Sequence, residues 1–169
     1  MKKLLVAVAV MVAAITAQAQ GTISFNNFTG PTVTTVGGVA LNNAFTAELL
    51  AGTSAASLVS IATTKYGSPA ASFFNAGADI AIAGIAAGQQ AVIQLRVFDG
   101  ASFAAATTQR GQSGTATVTL GGSSGGGPPA TSPGIAGVGA FSLTLIPEPS
   151  TLALGLLAGA GLLALRRRK

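Results

Sequence analysis

Alternation of apolar and polar positions with a period of two runs through the middle of the chain, and it predicts strands. Thr22-Ile23-Ser24-Phe25-Asn26 places Ile23 and Phe25 on one face. Phe45-Thr46-Ala47-Glu48-Leu49 groups Phe45, Ala47 and Leu49, with Thr46 and Glu48 outward. The strongest segment is Ala91 to Phe98, with Ile93, Leu95 and Val97 on one face and Gln94 and Arg96 on the other. Shorter strands are predicted at Leu58–Thr63, Asp79–Ile82, Thr115–Leu120 and Ala140–Leu145. Ser54 to Leu58 suits a single helical turn.

Turn chemistry separates these runs. Asp99-Gly100 between Val97-Phe98 and Ala101-Ser102-Phe103 predicts a two-residue hairpin, because both central residues of such a turn take positive φ. Gly37-Gly38, between the β-branched run Thr32–Val36 and Val39–Leu41, predicts another. Residues 121–134 (GGSSGGGPPATSPG) are low in complexity and read as a loop feeding the last strand, or as a linker. The fold class expected for residues 20–146 is all-β: a two-sheet antiparallel β-sandwich of Greek-key or jelly-roll type, with the Phe residues and the single Tyr in its span.

The ends follow a different pattern. Lys2 and Lys3 precede an unbroken apolar run from Leu4 to Ile15, and Ala17 and Ala19 then supply the small residues of a cleavage site. Basic head, apolar middle and small-residue exit together read as a signal peptide over residues 1–19, as a signal helix removed after Ala19. At the other end, Thr151–Leu165 carries no charge and is followed by Arg166, Arg167, Arg168 and Lys169. As a helix it reaches about 22 Å at about 1.5 Å per residue, against a hydrocarbon core about 30 Å thick. Its leucines favour insertion by about 2 to 4 kcal/mol in sum, and its glycines oppose it. A short transmembrane helix is expected, with the four cations as a stop-transfer element on the cytoplasmic face. Gly155 and Gly159 form a G-x-x-x-G pair suited to close helix contact.

Between body and helix stands Pro147-Glu148-Pro149-Ser150. The prolines forbid helix through Glu148, and Ser150 suits the cap of the helix that follows. This arrangement of signal peptide, Pro-Glu-Pro motif, short apolar helix and terminal Arg cluster resembles the PEP-CTERM sorting signal of Gram-negative bacteria. The resemblance covers Ile146 to Lys169, and it implies recognition at 147–169 by an exosortase-type processing enzyme, a transpeptidase-like membrane protein that removes the tail near the motif. It further implies transient anchoring in the inner membrane, delivery to the cell surface or extracellular matrix, and association with exopolysaccharide or biofilm. The start of the body, Gly21-Thr22-Ile23-Ser24-Phe25-Asn26-Asn27, resembles small members of the same group and implies no activity.

Composition narrows the chemistry. The chain has no His and no Cys, which excludes His-dependent nucleophilic pairs, thiolate chemistry, disulfides and the usual zinc sites. The net charge of +5 arises entirely at the tips: between them, Lys65, Arg96 and Arg110 face Glu48, Asp79, Asp99 and Glu148. Cations this sparse argue against a nucleic-acid partner. Glu48, Asp79 and Asp99 occur in a strand and two turns with no pattern that brings two together for glycoside hydrolysis. Asp79 reads as turn chemistry rather than a calcium ligand. Catalytic, cofactor-binding and metal-binding residues are therefore expected to be none. Phe73-Phe74 should point to opposite sides, leaving one ring as a candidate surface contact; Asn27-Phe28-Thr29 fits the glycosylation pattern, and the resemblance to a bacterial sorting signal implies that the match is accidental. The function expected is that of an exported envelope or matrix structural protein. The alternatives are a carbohydrate-binding or adhesive surface module, or a simple single-pass membrane-anchored protein.

Overall fold

The computed structural model describes residues 20–67, 69–123, 128–146 and 155. The signal peptide with Ala17 and Ala19, the motif Pro147 to Ser150, and the tail with Arg166, Arg167, Arg168 and Lys169 lie outside the described residues. No helix among the described residues is long and apolar enough to cross a membrane.

Among the described residues ten strands form in chain order: β1 Gln20–Asn26, β2 Val33–Thr34, β3 Phe45–Gly52, β4 Val59–Lys65, β5 Asn75–Ala86, β6 Gln90–Asp99, β7 Gln109–Gln112, β8 Ala116–Thr119, β9 Phe141–Ser142 and β10 Thr144–Leu145. The protein is all-β. The main sheet has the order β10-β7-β6-β3-β4, and β8 pairs with the first half of β6. A second sheet holds β1 against β5, antiparallel, and β2 lies parallel to β9. Between β7 and β8 the buried Ser113 fills the gap in the ladder: its hydroxyl accepts from Leu95 N–H at 3.0 Å, and its own N–H donates to Leu95 C=O at 2.9 Å.

The predicted alternation places the core. Ile93, Leu95 and Val97 of β6, Ala47 and Leu49 of β3, and Ile23 and Phe25 of β1 are buried. They join Phe74, Tyr66, Ile82 and Leu143 in one apolar cluster that draws on both the main sheet and the β1–β5 pair. Phe74 is the hub of its aromatic part, with Phe25 at 4.9 Å and Tyr66 at 5.1 Å between ring centroids. Such tilted pairs add about 0.5–1.5 kcal/mol beyond area burial.

Both predicted hairpins are corrected. Gly100 takes φ 93, as a tight turn asks, yet β7 starts only at Gln109 and a loop over 100–108 intervenes. The reason is Asp99, whose carboxylate gathers the N–H groups of Thr107, Thr108 and Gln109, so the next strand begins at Gln109 and not at Ala101. Gly37 and Gly38 also take positive φ, but Val39–Leu41 forms no strand. Thr32 and Thr34 instead accept N–H bonds from Phe141 and Leu143, so β2 pairs in parallel with a distant segment. The Asp79–Ile82 strand is longer than its pattern, spanning Asn75–Ala86, because β1 pairs along it from Asn26↔Asn75 to Gln20↔Ala86. Asp79 therefore lies within a strand and not in a turn. Ala140–Leu145 divides into β9 and β10, which pair with β2 and β7 respectively. Ser54–Leu58 holds the expected helical turn, a 3-10 turn at Ala55–Ser57 whose N-terminal end is closed by a capping box of Ser54 and Ser57.

The flanks of the low-complexity stretch return to β1. Gly121 exchanges backbone bonds with Thr22 at 2.9 and 3.0 Å, and Ser24 N–H donates to Pro133 C=O at 2.8 Å. Only glycine fits at 121, since a Cβ there would lie 2.5 Å from the Ser132 Cα.

Candidate functional site

Register sorts the side chains of the main sheet by face, because directly opposed residues of an antiparallel pair share a face. Lys65 opposes Thr46, Thr46 opposes Phe98, Phe98 opposes Arg110, and Arg110 opposes Thr144. One row along, Thr63 opposes Glu48, Glu48 opposes Arg96, and Arg96 opposes Gln112. The two rows lie on the face away from Ala47 and Val97. Lys65, Arg96 and Arg110, all the basic residues between the two chain tips, thus share one sheet face.

The 100–108 loop folds over this face and supplies an aromatic ring. Phe103 meets Phe98 edge-on at 6.1 Å, and both guanidinium groups lie near its ring, Arg96 at 4.7 Å and Arg110 at 5.2 Å from the centroid. Such contacts contribute about 0.5–1 kcal/mol when exposed and more when desolvated. Arg110 also donates to the Phe103 C=O at 2.9 Å, which fixes its plane. Arg96 donates through Nε to Gln112 Oε1 at 3.3 Å. Its ion pair with Glu48 is loose, at 3.9 Å, and Glu48 Oε2 is buried with no hydrogen bond. Beside this cluster opens a cleft of about 430 Å³ lined by Phe103, Arg110, Gly111, Gln112, Ser142 and Thr144.

Asp99 anchors the loop from the other side. Its oxygens accept from Thr107 N–H and Oγ1, from Thr108 N–H and Oγ1, and from Gln109 N–H. Burial alone would raise its pKa, but the Thr108 hydroxyl and N–H, with Thr107 and Gln109, outweigh it and hold the carboxyl well below the usual carboxylate range. This carboxylate serves the loop.

The three carboxylates do not converge. Glu48 lies on the cation-bearing face, Asp79 opposes Ser24 in the β1–β5 sheet, and Asp99 closes the loop base. Asp79 accepts from Ser132 Oγ, a tie between β5 and the 128–133 segment. No group of three or more metal-ligating side chains occurs among the described residues.

A second surface feature surrounds Phe73. Phe74 is fully buried while Phe73 is 39% exposed, as adjacent positions of an extended segment require. Phe73 does not stand alone: Phe28, 49% exposed, lies 6.2 Å away. The Asn27 side chain joins the two segments, donating to Ser72 C=O and accepting from Phe74 N–H, each at 2.8 Å. Ser72 has φ 68, the one positive φ outside glycine among the described residues. The amide that the Asn-Phe-Thr triplet suggested for glycosylation is thus used on both sides to hold this loop.

Sequence reasoning had Arg96 outward but did not find Phe103, Arg110, Gln112, Ser142 or Thr144 as a group. The available signal was parity: Arg96 sits on the polar face of β6. Register across β6, β7 and β10 set Arg110, Gln112 and Thr144 beside Arg96, and the 100–108 loop brought Phe103. No family model, curated protein or solved structure matches the chain.

Proposed function

We propose that this chain is an exported, exosortase-processed structural protein of the envelope or extracellular matrix, without catalytic activity. Export uses residues 1–19, with cleavage after Ala19. Pro147, Glu148, Pro149 and Ser150 are the sorting motif, and the apolar helix with Arg166, Arg167, Arg168 and Lys169 anchors the chain in the inner membrane until the tail is removed. The body is a two-sheet sandwich, the β1–β5 pair forming the second layer over the main sheet. A single apolar cluster drawn from both sheets supports that reading. Exopolysaccharide is the partner proposed for the finished protein.

One observation carries the reading. β10 ends at Leu145, Ile146 N–H donates to Thr108 C=O at 2.8 Å, and the motif begins at Pro147. Only Ile146 separates β10 from the motif, so a cut there removes no strand residue among the described residues. The sparse charge of the body supports a matrix role too, because little repulsion keeps copies apart.

Intact mass of the protein recovered from the cell surface or medium tests this. The expected mass lacks residues 1–19 and the apolar tail. A mature form that retains Arg166 to Lys169 indicates a permanent single-pass anchor instead, and full-length material in the cytosol overturns the proposal.

A further inference from the structure

The three basic residues of the body share one face, and two of them meet at one aromatic ring beside a cleft. We propose that this cleft binds a carboxylate-bearing sugar chain, with a uronate carboxylate on Arg110 and neighbouring hydroxyls on Gln112, Ser142 and Thr144. The inference rests on the exopolysaccharide partner proposed above and names its chemistry and its site; it does not depend on how the chain is processed.

The donor set favours this ligand. Arg110 is held by the Phe103 ring and by one N–H to the Phe103 C=O, and its other N–H donors make no hydrogen bond among the described residues. A guanidinium with a fixed plane offers paired donors that match a carboxylate, and little freedom remains to lose on binding. Gln112 accepts from Arg96 through its oxygen, which leaves its NH₂ as a donor toward the cleft it lines. Ser142 and Thr144 add hydroxyls, and Thr144 Oγ1 already donates to the Arg110 C=O at 3.1 Å, which leaves its oxygen to accept. Phe103 contributes an apolar wall for the C–H face of a sugar ring.

Charge sets the direction of approach. Glu48 lies 3.9 Å from Arg96 and offsets it, so Arg110 is the stronger anion position. Lys65 stands three strands from Arg110 in the same row, about 14 Å away at about 4.8 Å per strand. Thr46 and Phe98 between them are buried, so Lys65 is a second, separate cation position that a long, repeating anion can reach and one small ion cannot. Phosphate backbones are the less favoured polyanion, since three cations offset by Glu48 neutralise few phosphates.

Titration of the full chain in detergent micelles with polygalacturonate, neutral dextran and single-stranded DNA tests the proposal. Polygalacturonate should bind, dextran should bind at least tenfold more weakly, and added salt should weaken the interaction. Arg110→Gln should lose tenfold or more. Arg110→Lys, which keeps the charge but not the fork, should lose several-fold. Glu48→Gln should tighten binding two- to fivefold, a gain that misfolding does not produce. Equal binding of wild type and Arg110→Gln, no gain in Glu48→Gln, preference for dextran, or tighter binding of DNA would each overturn it.

Discussion

Two carboxylates of the main sheet lie in opposite circumstances. Asp99, at the base of the 100–108 loop, accepts bonds from three consecutive residues, while Glu48, in β3 beside Arg96, has a buried oxygen with no hydrogen bond and a cation no nearer than 3.9 Å. The base of the loop is closed by satisfied local bonds. Its tip is held by a ring and two guanidinium groups with donors to spare. A satisfied charge fixes a conformation, whereas guanidinium groups with donors to spare can still take a ligand.

Removing the base should cost most. Asp99→Ala strands the Thr107, Thr108 and Gln109 N–H groups and is expected to lower stability by about 3 kcal/mol, measured by urea unfolding. The pH dependence has the same origin. The folded pKa of Asp99 is depressed below its ordinary 3.8, so its contribution is complete above that value and is lost as pH falls below it. Acid unfolding of Asp99→Ala should therefore be flatter below about pH 4 than that of the wild type. A parallel shift of both curves would assign the acid sensitivity to other groups.

At the tip, Phe103→Ala uncovers Phe98 and releases both guanidinium groups, with an expected loss of about 2 kcal/mol. Combined with Asp99→Ala, a loss well short of the sum would show that base and tip order the loop together. Tyr66 offers a contrast inside the core. Its hydroxyl is buried without a partner, and burial pushes its pKa upward from 10.0. Tyr66→Phe should therefore be neutral or stabilising by up to about 1 kcal/mol. Because this is the single Tyr in a chain without Trp, its absorbance should show no phenolate above pH 10 until the fold itself opens. Raised folded pKa means that stability declines as pH rises past the ordinary value. Smallest of all, Glu48→Gln should change stability by less than about 0.5 kcal/mol, measured by thermal unfolding, while Arg96 loses its offsetting charge. A cost of several kcal/mol would mean that the loose ion pair is a fastener after all.

Legibility varied with distance along the chain. Alternation in β1, β3 and β6 named the buried residues Ile23, Phe25, Ala47, Leu49, Ile93, Leu95 and Val97, because side-chain parity is local. Asp99-Gly100 misled because the carboxylate found donors eight to ten residues ahead, which dipeptide statistics do not contain. That one ring of Phe73-Phe74 faces outward was legible; which one, and its neighbour Phe28 more than forty residues away, was not. The cation-bearing face was the least visible, since Arg96 and Arg110 look isolated until register sets them around Phe103.

By itself the sequence determined the all-β class, the facing of each strong strand, the absence of His and Cys chemistry, and the motif at the end of the body. Tertiary structure alone decided which strands pair, that β2 runs parallel to β9, and that three scattered cations share one face. The division has one physical cause: which way a side chain points follows from its own backbone, whereas what it meets follows from burial and pairing between segments that only folding brings together.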